Sequence, residues 1–399
     1  MVMKIGNLFF FFVVLFTSLG HYVGAQDPIK SSPNTIDIST LPKSIFSGLQ
    51  GPFHVQGIVV DLKQGYVYFS FTTTFVKTDL EGNLIGSVTG MTGHLGCLTM
   101  NPEDGRVYGS IEYKNDQIGK NIRKQLDQSD KAEGLSSAFY IAIFDVDRIT
   151  RPNMDAEKEN VMTTVYLKEV VDDYYGSTLN GGKEVKHRFG CSGIDGISFG
   201  PKFGALKDSK YYLHVAYGIY GDVNRTDNDY QVILAYDTRN WKKYERIPSQ
   251  IAPHKNGPRK PKHKYFVRTG NTSYGIQNLA YDPASGNWLA AVYAGTKKEY
   301  PNYSLFMIDG SKPAHKEILK GFDISTKGEV LSLVNTGCYD ENTDIYGWYF
   351  KWGATGLCPI GLGYFYLSHN DCTPDRKQSS RLYLYRWTGD KKDPFIRVE

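Results

Sequence analysis

The sequence predicts an all-β protein, and within that class a β-propeller. Three observations predict it: the chain repeats one hairpin pattern, its 399 residues include 29 Tyr and 41 Gly, and helical periodicity is weak nearly everywhere. Tyr and Gly at this density are typical of twisted β-hairpins rather than of helix bundles. The best helix candidate is the segment from Asp116 to Gly134.

The repeated hairpin consists of a short apolar strand, a turn that begins with Asn or Asp and has Gly four residues later, and a second alternating strand. It reads "GPFHVQGIVVDLKQGYVYFSF" from Gly51, "TGHLGCLTMNPEDGRVYGSI" from Thr92 and "SYGIQNLAYDPASGNWLAAVY" from Ser273. A version with a longer turn begins "CSGIDGISFGPKFG" at Cys191. Another, "LVNTGCYDENTDIYGWYF" from Leu333, has Asp in place of Gly.

The spacing of these hairpins predicts the number of blades. The units start near positions 54, 94, 193, 275 and 333, and antiparallel strands repeated every ~40–60 residues are the signature of propeller blades. Two intervals are about double length, and filling them predicts seven blades. Five or six longer blades with insertions are the alternatives, and a β-sandwich or a right-handed β-helix also stays open.

The first 25 residues are typical of a secretory signal peptide. Lys4 precedes an apolar run from Leu8 to Phe16, and a small-residue site ends at Ala25, so cleavage is expected before Gln26. The apolar run is shorter than the ~20 residues that span a bilayer. We therefore expect an exported protein, periplasmic or secreted, with no membrane span. Residues 26–399 are expected to form a single propeller domain and to be monomeric.

Five cysteines in an exported chain allow two disulfides and one free thiol. Cys338, Cys358 and Cys372 lie close together in the sequence, with His369 between the last two. The spacing allows a Cys358–Cys372 disulfide, a zinc site that includes His369, or free buried thiols.

Repeat geometry predicts a shared site at one mouth of the propeller. The innermost strands line the central channel, and the residues just before them converge in a funnel, where ligand sites are expected. Polar residues occupy these positions in four units: His54, His94, the group His187, Arg188 and Ser192, and the group Tyr274, Gln277 and Asn278.

These residue types suit β-elimination on a uronic acid. That reaction needs a base at C5, an acid at the leaving oxygen and a cation on the carboxylate. His94, His187 and Tyr274 are the predicted acid and base residues, and Arg188 is the predicted carboxylate clamp. His54, Ser192, Gln277 and Asn278 are predicted to bind substrate. Each of these residues also has a structural alternative, as a loop-pinning or packing residue.

Other chemistries have weaker signals. The chain lacks G-x-S-x-G, P-loop and HExxH motifs, which argues against a serine triad, a nucleotide phosphate site and a zinc protease. Glu112 and Asp195 could serve as paired carboxylates for glycoside hydrolysis, but neither has a convincing partner in the sequence. The net charge of +4 does not indicate a nucleic-acid partner.

The motifs "TGHLGC", "KHRFGCSGIDG" and "SYGIQNLAYD" are spread over most of the expected mature chain. Through them the chain resembles the secreted β-propeller ulvan lyases and the related ulvan-oligosaccharide dehydratases of marine polysaccharide-degrading bacteria. The resemblance implies an anionic carbohydrate substrate, β-elimination at a glucuronate or iduronate, and roles for His94, His187, Arg188 and Tyr274. It also implies a structural zinc ion. Such lyases carry two histidines about twenty residues apart, whereas His54 and His94 are forty residues apart, which leaves room for an end-acting dehydratase.

Two other functions stay open. One is a secreted propeller that binds a ligand without catalysis. The other is a metal-dependent lactonase or hydrolase, in which Asp195, Asn278 and Asp340 would hold a calcium ion at the channel floor.

Overall fold

The computed structural model of the chain describes residues 37–127 and 136–399. Within these ranges the chain forms 27 strands and two α-helices, which confirms the all-β class. The predicted signal peptide, residues 1–25, lies outside the described residues. In the described part of the chain, neither helix has the length and apolar character needed to cross a bilayer.

The strands are β1 (Ser44–Phe46), β2 (Gly57–Asp61), β3 (Tyr66–Phe71), β4 (Thr74–Asp79), β5 (Leu84–Thr89), β6 (His94–Met100), β7 (Val107–Tyr113), β8 (Ala138–Phe144), β9 (Met154–Asp155), β10 (Met162–Tyr166), β11 (Ser177–Asn180), β12 (Lys183–Lys186), β13 (Cys191–Pro201), β14 (Tyr211–Ile219), β15 (Tyr230–Tyr236), β16 (His263–Arg268), β17 (Thr272–Asp282), β18 (Asn287–Ala294), β19 (Leu305–Ile308), β20 (His315–Ile318), β21 (Lys327–Leu331), β22 (Cys338–Asp340), β23 (Ile345–Gly347), β24 (Leu357–Gly361), β25 (Tyr364–Cys372), β26 (Gln378–Trp387) and β27 (Phe395–Arg397). The helices are α1 (Gln117–Gln125) and α2 (Lys168–Tyr175), and short 3-10 turns lie at Ile38–Thr40, Val146–Arg148, Arg188–Gly190 and Trp241–Lys243.

Five of the sheets are the blades of a β-propeller. In order from the innermost strand they contain β2-β3-β4-β5, β6-β7-β8-β10, β13-β14-β15-β16, β17-β18-β19 and β24-β25-β26-β1. The innermost strands β2, β6, β13, β17 and β24 contact one another in that order, and β24 contacts β2, so the ring is closed. The structure therefore has five blades. The prediction of seven is wrong, and the alternative of five long blades is confirmed.

Insertions and long connections explain the double-length intervals. Helix α2 and the hairpin β11–β12 lie between the second and third blades, in the first of these intervals. Long loops between β13, β14, β15 and β16 lengthen the second interval. Strands β20 and β21 come later in the chain and extend the third blade, in which β21 pairs with β16 in parallel. The segment from Leu333 that resembles the repeat forms only the two-stranded hairpin β22–β23. The fifth innermost strand is Leu357–Gly361 instead, and no repeat motif marks it in the sequence.

The predicted turns share one geometry in the first, second and fourth blades. Each turn glycine has a positive φ, between 69° and 78°, which glycine adopts without steric cost. Each glycine amide donates to the carbonyl four residues earlier: Gly65 to Asp61, Gly105 to Asn101, and Gly286 to Asp282. The side chain of the Asn or Asp in turn accepts hydrogen bonds from amides inside the turn. The turn prediction is thus confirmed at all three positions.

Ring closure joins distant parts of the chain in the fifth blade. Strand β1 pairs antiparallel with β26, with Ser44 opposite Tyr383 and Phe46 opposite Arg381. The Ser380 amide also donates to Ser47 Oγ at 2.8 Å. Because Ile45 is only 1% exposed, this strand contributes apolar burial as well as backbone hydrogen bonds.

Helix α1 lies within the predicted helical segment and borders the channel mouth. Asp116 caps it by accepting a hydrogen bond from the Gly119 amide at 3.0 Å. Arg123, in the last turn of the helix, donates to the Lys114 carbonyl at 2.9 Å. This bond fixes the backbone where the second blade enters the mouth.

Candidate active site

A cavity of about 350 Å³ lies at the channel mouth where the innermost strands begin. It is lined by the first four blades and by helix α1, through His54, Gln56, His94, Glu112, Lys114, Ile118, Ser192, Asp195, Gly218, Tyr274, Gln277 and Tyr293. Polar and titratable groups therefore converge here, as the repeat geometry predicts.

Glu112 is a buried carboxylate held in a fixed position. Its Oε1 lies 2.7 Å from Lys114 Nζ, and its Oε2 accepts a hydrogen bond from the Ile194 amide at 3.2 Å. A Cβ at Gly193 would lie 2.0 Å from Oε2, so only glycine leaves room for this side chain. Burial raises the pKa of Glu112, and the neighbouring Lys114 opposes that rise.

Asp195 is the second buried carboxyl group of the cavity. Burial and the nearby Glu112 charge raise its pKa well above the ordinary value. Gln277 Nε2 donates to its Oδ2 at 3.0 Å, and Ser110 Oγ donates to its backbone carbonyl at 2.6 Å. A carboxyl group in these surroundings can keep its proton and act as a hydrogen-bond donor.

His94 opens strand β6 directly opposite Glu112 on β7. Its Nδ1 is buried and lies 3.7 Å from Glu112 Oε1, too far for a hydrogen bond. Burial lowers the pKa of His94 to about 3, and electrostatic repulsion from Lys114 and, when it is protonated, from His54 contributes. The imidazole is therefore neutral near pH 7. Because the side chain is still 15% exposed, Nε2 is the ring nitrogen left to face a ligand.

His54 lies on the first-blade side of the cavity. Its Nε2 lies 3.1 Å from Gln56 Nε2, which also lies 3.2 Å from Thr72 Oγ1. Because an amide nitrogen only donates, His54 Nε2 accepts and the ring proton is on Nδ1. Burial lowers the pKa of His54, so this ring is also neutral near pH 7.

Tyr274 stands at the rim in a strained backbone conformation. Its φ is +64°, in the left-handed region, and its side chain is 51% exposed. The ring lies 6.4 Å from that of Tyr293 and nearly perpendicular to it. Burial raises the pKa of Tyr293 to about 12, with contributions from Asp195 and Tyr274. Strained residues of this kind cluster at binding and catalytic sites.

The structure brings five of the eight predicted residues into one cavity: His54, His94, Ser192, Tyr274 and Gln277. Asn278 lies deeper, in the channel. Its Nδ2 donates to the Gln56 and Ala354 carbonyls, both at 2.9 Å, and Cys97 Sγ lies 3.4 Å from its Oδ1. These bonds tie four blades together, so Asn278 holds the ring rather than facing a ligand.

His187 and Arg188 do not line the cavity. Arg188 Nε donates to Asp173 Oδ1 at 2.6 Å, and this fully buried carboxylate also contacts Lys264. The His187 ring packs between Tyr174 and Tyr220, each at 4.7 Å. The 3-10 turn before β13 directs both side chains into these contacts. The predicted carboxylate clamp is therefore already paired within the protein.

Lys114 is a charged cavity residue that the sequence interpretation did not consider. Glu112 was considered only as a possible hydrolase carboxylate. Both lie at the end of the second strand of a blade, whereas the funnel was predicted from positions before the innermost strands. The alternation in "VYGSIEYKN" places residues two apart on one face of a strand. That period could have paired Glu112 with Lys114.

No metal cluster and no disulfide is present in the described part of the chain, where all five cysteines are free. Cys358 faces Tyr366 on β25, whereas Cys372 faces Gln378 at the far end of the same strand, so the two thiols cannot bond. His369 instead stacks on Trp352 at 3.6 Å. Of the three alternatives that the sequence allows, the structure therefore has free thiols in its described part, and neither the Cys358–Cys372 disulfide nor the zinc site with His369 is formed there.

The predicted calcium ligands are also separated. Asp340 accepts hydrogen bonds from Thr343 within the turn of the hairpin β22–β23. Asn278 is bonded in the channel and Asp195 lies in the cavity. No group of ligands that could hold a metal forms from them within the described residues.

Comparisons with known proteins find no family for the chain, and the solved structures described below have low sequence identity to it. No protein-family model matches it, and no curated protein does. Among solved structures, a GH43 β-1,3-galactosidase with galactodeoxynojirimycin is 10% identical, with 87% of this chain and 93% of that chain covered and a TM-score of 0.36. The Bacillus subtilis arabinanase Arb43A is 9% identical, with 86% and 97% covered and a TM-score of 0.34.

Hydrazine synthase of Kuenenia stuttgartiensis is 11% identical to this chain, with a TM-score of 0.29. The match covers 86% of this chain, which spans 64% of the hydrazine synthase chain. These similarities carry no information about substrate or reaction.

Proposed function

We propose that the protein is a carbon–oxygen lyase or dehydratase that acts by β-elimination on uronic-acid residues of an anionic, ulvan-type oligosaccharide or polysaccharide. One observation carries the proposal: the imidazole of His94, whose pKa burial lowers, faces the same cavity as the carboxyl group of Asp195, whose pKa burial raises, and the phenol of Tyr274. The reaction needs a base at C5, an acid at the leaving oxygen and a group that binds the carboxylate. In this proposal a protonated carboxyl group, with Lys114 nearby, takes the place of the expected cation.

His94 is the proposed base at C5. Its Nε2 takes the C5 proton, and the imidazolium that forms lies beside the Glu112 carboxylate, 3.7 Å from Nδ1. A weakly basic imidazole thus becomes a better proton acceptor at the moment when charge develops on it. Glu112 is a positioning residue here, because it acts through His94 rather than on the sugar.

Asp195 takes the place of the predicted arginine clamp. A protonated carboxyl group can donate a hydrogen bond to the uronate carboxylate, which makes the adjacent C5 proton more acidic. Lys114, 2.7 Å from Glu112, adds positive charge at the same wall. As the C5–H bond breaks, its electron pair forms the C4–C5 double bond. The C4–O bond breaks, and the leaving oxygen takes the Tyr274 hydroxyl proton, which solvent replaces.

The test is incubation with uronate-containing ulvan oligosaccharides. The conjugated product absorbs ultraviolet light that the substrate does not, so a rising absorbance that requires His94 is the expected result. No change with either glucuronate- or iduronate-containing substrates contradicts the proposal. Export of the protein, as the first 25 residues predict, fits an extracellular polymer.

Glycoside hydrolysis is the second candidate, because Glu112 and Asp195 are two buried carboxyl groups in one cavity and both have raised pKa values. Hydrolases use such pairs as acid and base or nucleophile. New reducing ends without the ultraviolet signal favour this candidate. Saturable binding with neither product indicates a binding propeller.

A further inference from the structure

A second cavity, of about 410 Å³, adjoins the first on the same face of the propeller. Tyr293 lines both cavities. The second cavity continues from the end of β18 in the fourth blade to the loop that precedes β24 in the fifth, where Tyr349, Phe350 and Lys351 line it. A ligand that extends out of the first cavity past Tyr293 therefore enters the second.

Tyr349 offers a large aromatic surface to this second cavity. Its side chain is 62% exposed. The ring is nevertheless held in place, because the hydroxyl donates to the Pro301 carbonyl at 2.8 Å and the ring packs 4.9 Å from that of Tyr303. A rigid exposed aromatic ring loses little conformational entropy when a ligand binds to it.

The loop that carries Tyr349 is fixed to the fourth blade. Ser304 Oγ donates to the Phe350 carbonyl at 2.7 Å and accepts from the Phe350 amide at 2.8 Å. The Trp348 amide also pairs with Leu305, at 2.9 Å. The cavity wall is thus preformed, which is the usual state of ligand sites.

Lys351 supplies a cation next to this ring. It is exposed, and its Nζ lies 4.5 Å from the centre of the Trp352 ring, which is itself stacked on His369. Within residues 37–127 and 136–399, Lys351 forms no ion pair. Its charge is therefore available to a ligand.

We infer that this second cavity is a saccharide subsite that takes the sugar next to the one in the first cavity. Tyr349 stacks on the sugar ring, and Lys351 binds a sulfate or carboxylate of that sugar. This rests on the proposed function for the first cavity, and it makes the substrate an anionic chain of at least two units.

The test compares the full-length variants Tyr349→Ala and Lys351→Gln with wild type on ulvan disaccharides and tetrasaccharides. The ratio of kcat/KM for tetrasaccharide to that for disaccharide should fall about fivefold to tenfold in each variant. Tyr339→Ala and Lys316→Gln remove exposed residues that line neither cavity, and they should leave this ratio as it is in wild type. An unchanged ratio in Tyr349→Ala and Lys351→Gln overturns the inference.

Measuring tetrasaccharide binding to the His94→Gln variant separates this inference from the proposed function. This variant lacks the proposed base, so it should bind the substrate without converting it. If the tetrasaccharide binds but wild type forms no unsaturated product, the lyase proposal fails. The subsite then stands if adding Tyr349→Ala weakens tetrasaccharide binding about fivefold or more. Equal tetrasaccharide affinity with and without Tyr349→Ala rejects the subsite, as does the absence of tetrasaccharide binding.

Discussion

His94 Nδ1 lies 3.7 Å from Glu112 Oε1 because the two residues are directly opposite each other on β6 and β7. The strand register itself therefore sets this distance. Lys114 and the Ile194 amide also hold the Glu112 side chain in this place. The cavity thus has a built-in partner for any positive charge that forms on the imidazole.

Replacing His94 by Gln should lower turnover about 100-fold or more, because the base at C5 is lost while a side chain of similar size remains. The matched control is His315→Gln, since that side chain is 55% exposed on β20, outside the cavity, and pairs with Glu317. Initial rates of product formation measure both variants. A His94→Gln variant with wild-type rates contradicts the assignment of the base.

The pH dependence of kcat/KM should have two limbs. His94 must be neutral, and its lowered pKa of about 3 keeps the acidic limb below the ordinary histidine range. Asp195 must be protonated, so the rate should fall on the alkaline side as this group loses its proton. Asp195→Asn keeps a hydrogen-bond donor, so it should remain active and lose the part of the alkaline limb that comes from Asp195. Complete inactivity of a folded Asp195→Asn variant favours the hydrolase candidate instead.

Asp195 should also make stability depend on pH. Its pKa is higher in the folded state than in the unfolded state, so between the two values the folded state binds more protons. The contribution of Asp195 to stability is therefore fully present below the pKa that the group has in the unfolded state. It is lost as the pH rises through the pKa that the group has in the folded state. Thermal unfolding should show that Asp195→Asn raises Tm by an amount that grows from pH 4 to pH 8. A difference that stays constant with pH argues against a retained proton.

Arg188→Gln tests the clamp that the sequence predicted. The variant removes a hydrogen-bonded partner of the buried Asp173 and leaves Lys264 with it, so we expect a loss of about 1–3 kcal/mol in stability. Because Arg188 does not line the cavity, kcat/KM should stay within about threefold of wild type. Denaturant unfolding and kinetics separate the two effects. A large loss of kcat/KM in a folded Arg188→Gln variant would support the original assignment of Arg188 as the carboxylate clamp.

The closing strand should matter for the whole propeller. Ile45→Ala truncates a side chain that is 1% exposed in β1, and we expect a loss of about 2–5 kcal/mol in the free energy of unfolding. Leu49 lies four residues later and is 52% exposed, so Leu49→Ala should change the free energy of unfolding by less than about 0.5 kcal/mol. Urea unfolding compares the two. Equal effects indicate that β1 does not contribute to closure.

The sequence predicted local structure, such as turns, better than it predicted which way individual side chains point. The turns at Gly65, Gly105 and Gly286 follow from residue chemistry within five positions, and all three are present. The predicted number of blades was wrong because an insertion and a blade without a repeat motif leave the same gap between repeats. The sequence alone does not distinguish the two. The prediction for Arg188 as a carboxylate clamp was wrong because a single 3-10 turn decides which way its side chain points. The repeat pattern of the sequence does not indicate the geometry of such a turn.

Ring closure has a consequence for how this protein comes into being. The partner of β1 is made only when nearly the whole chain has left the ribosome, because Ser44 pairs with Tyr383. Until then the last sheet lacks its outer edge, and pairings this far apart in the chain form slowly. Each newly made molecule should thus pass through a long-lived open stage, in which a holding chaperone or a cold growth temperature improves the yield of active protein.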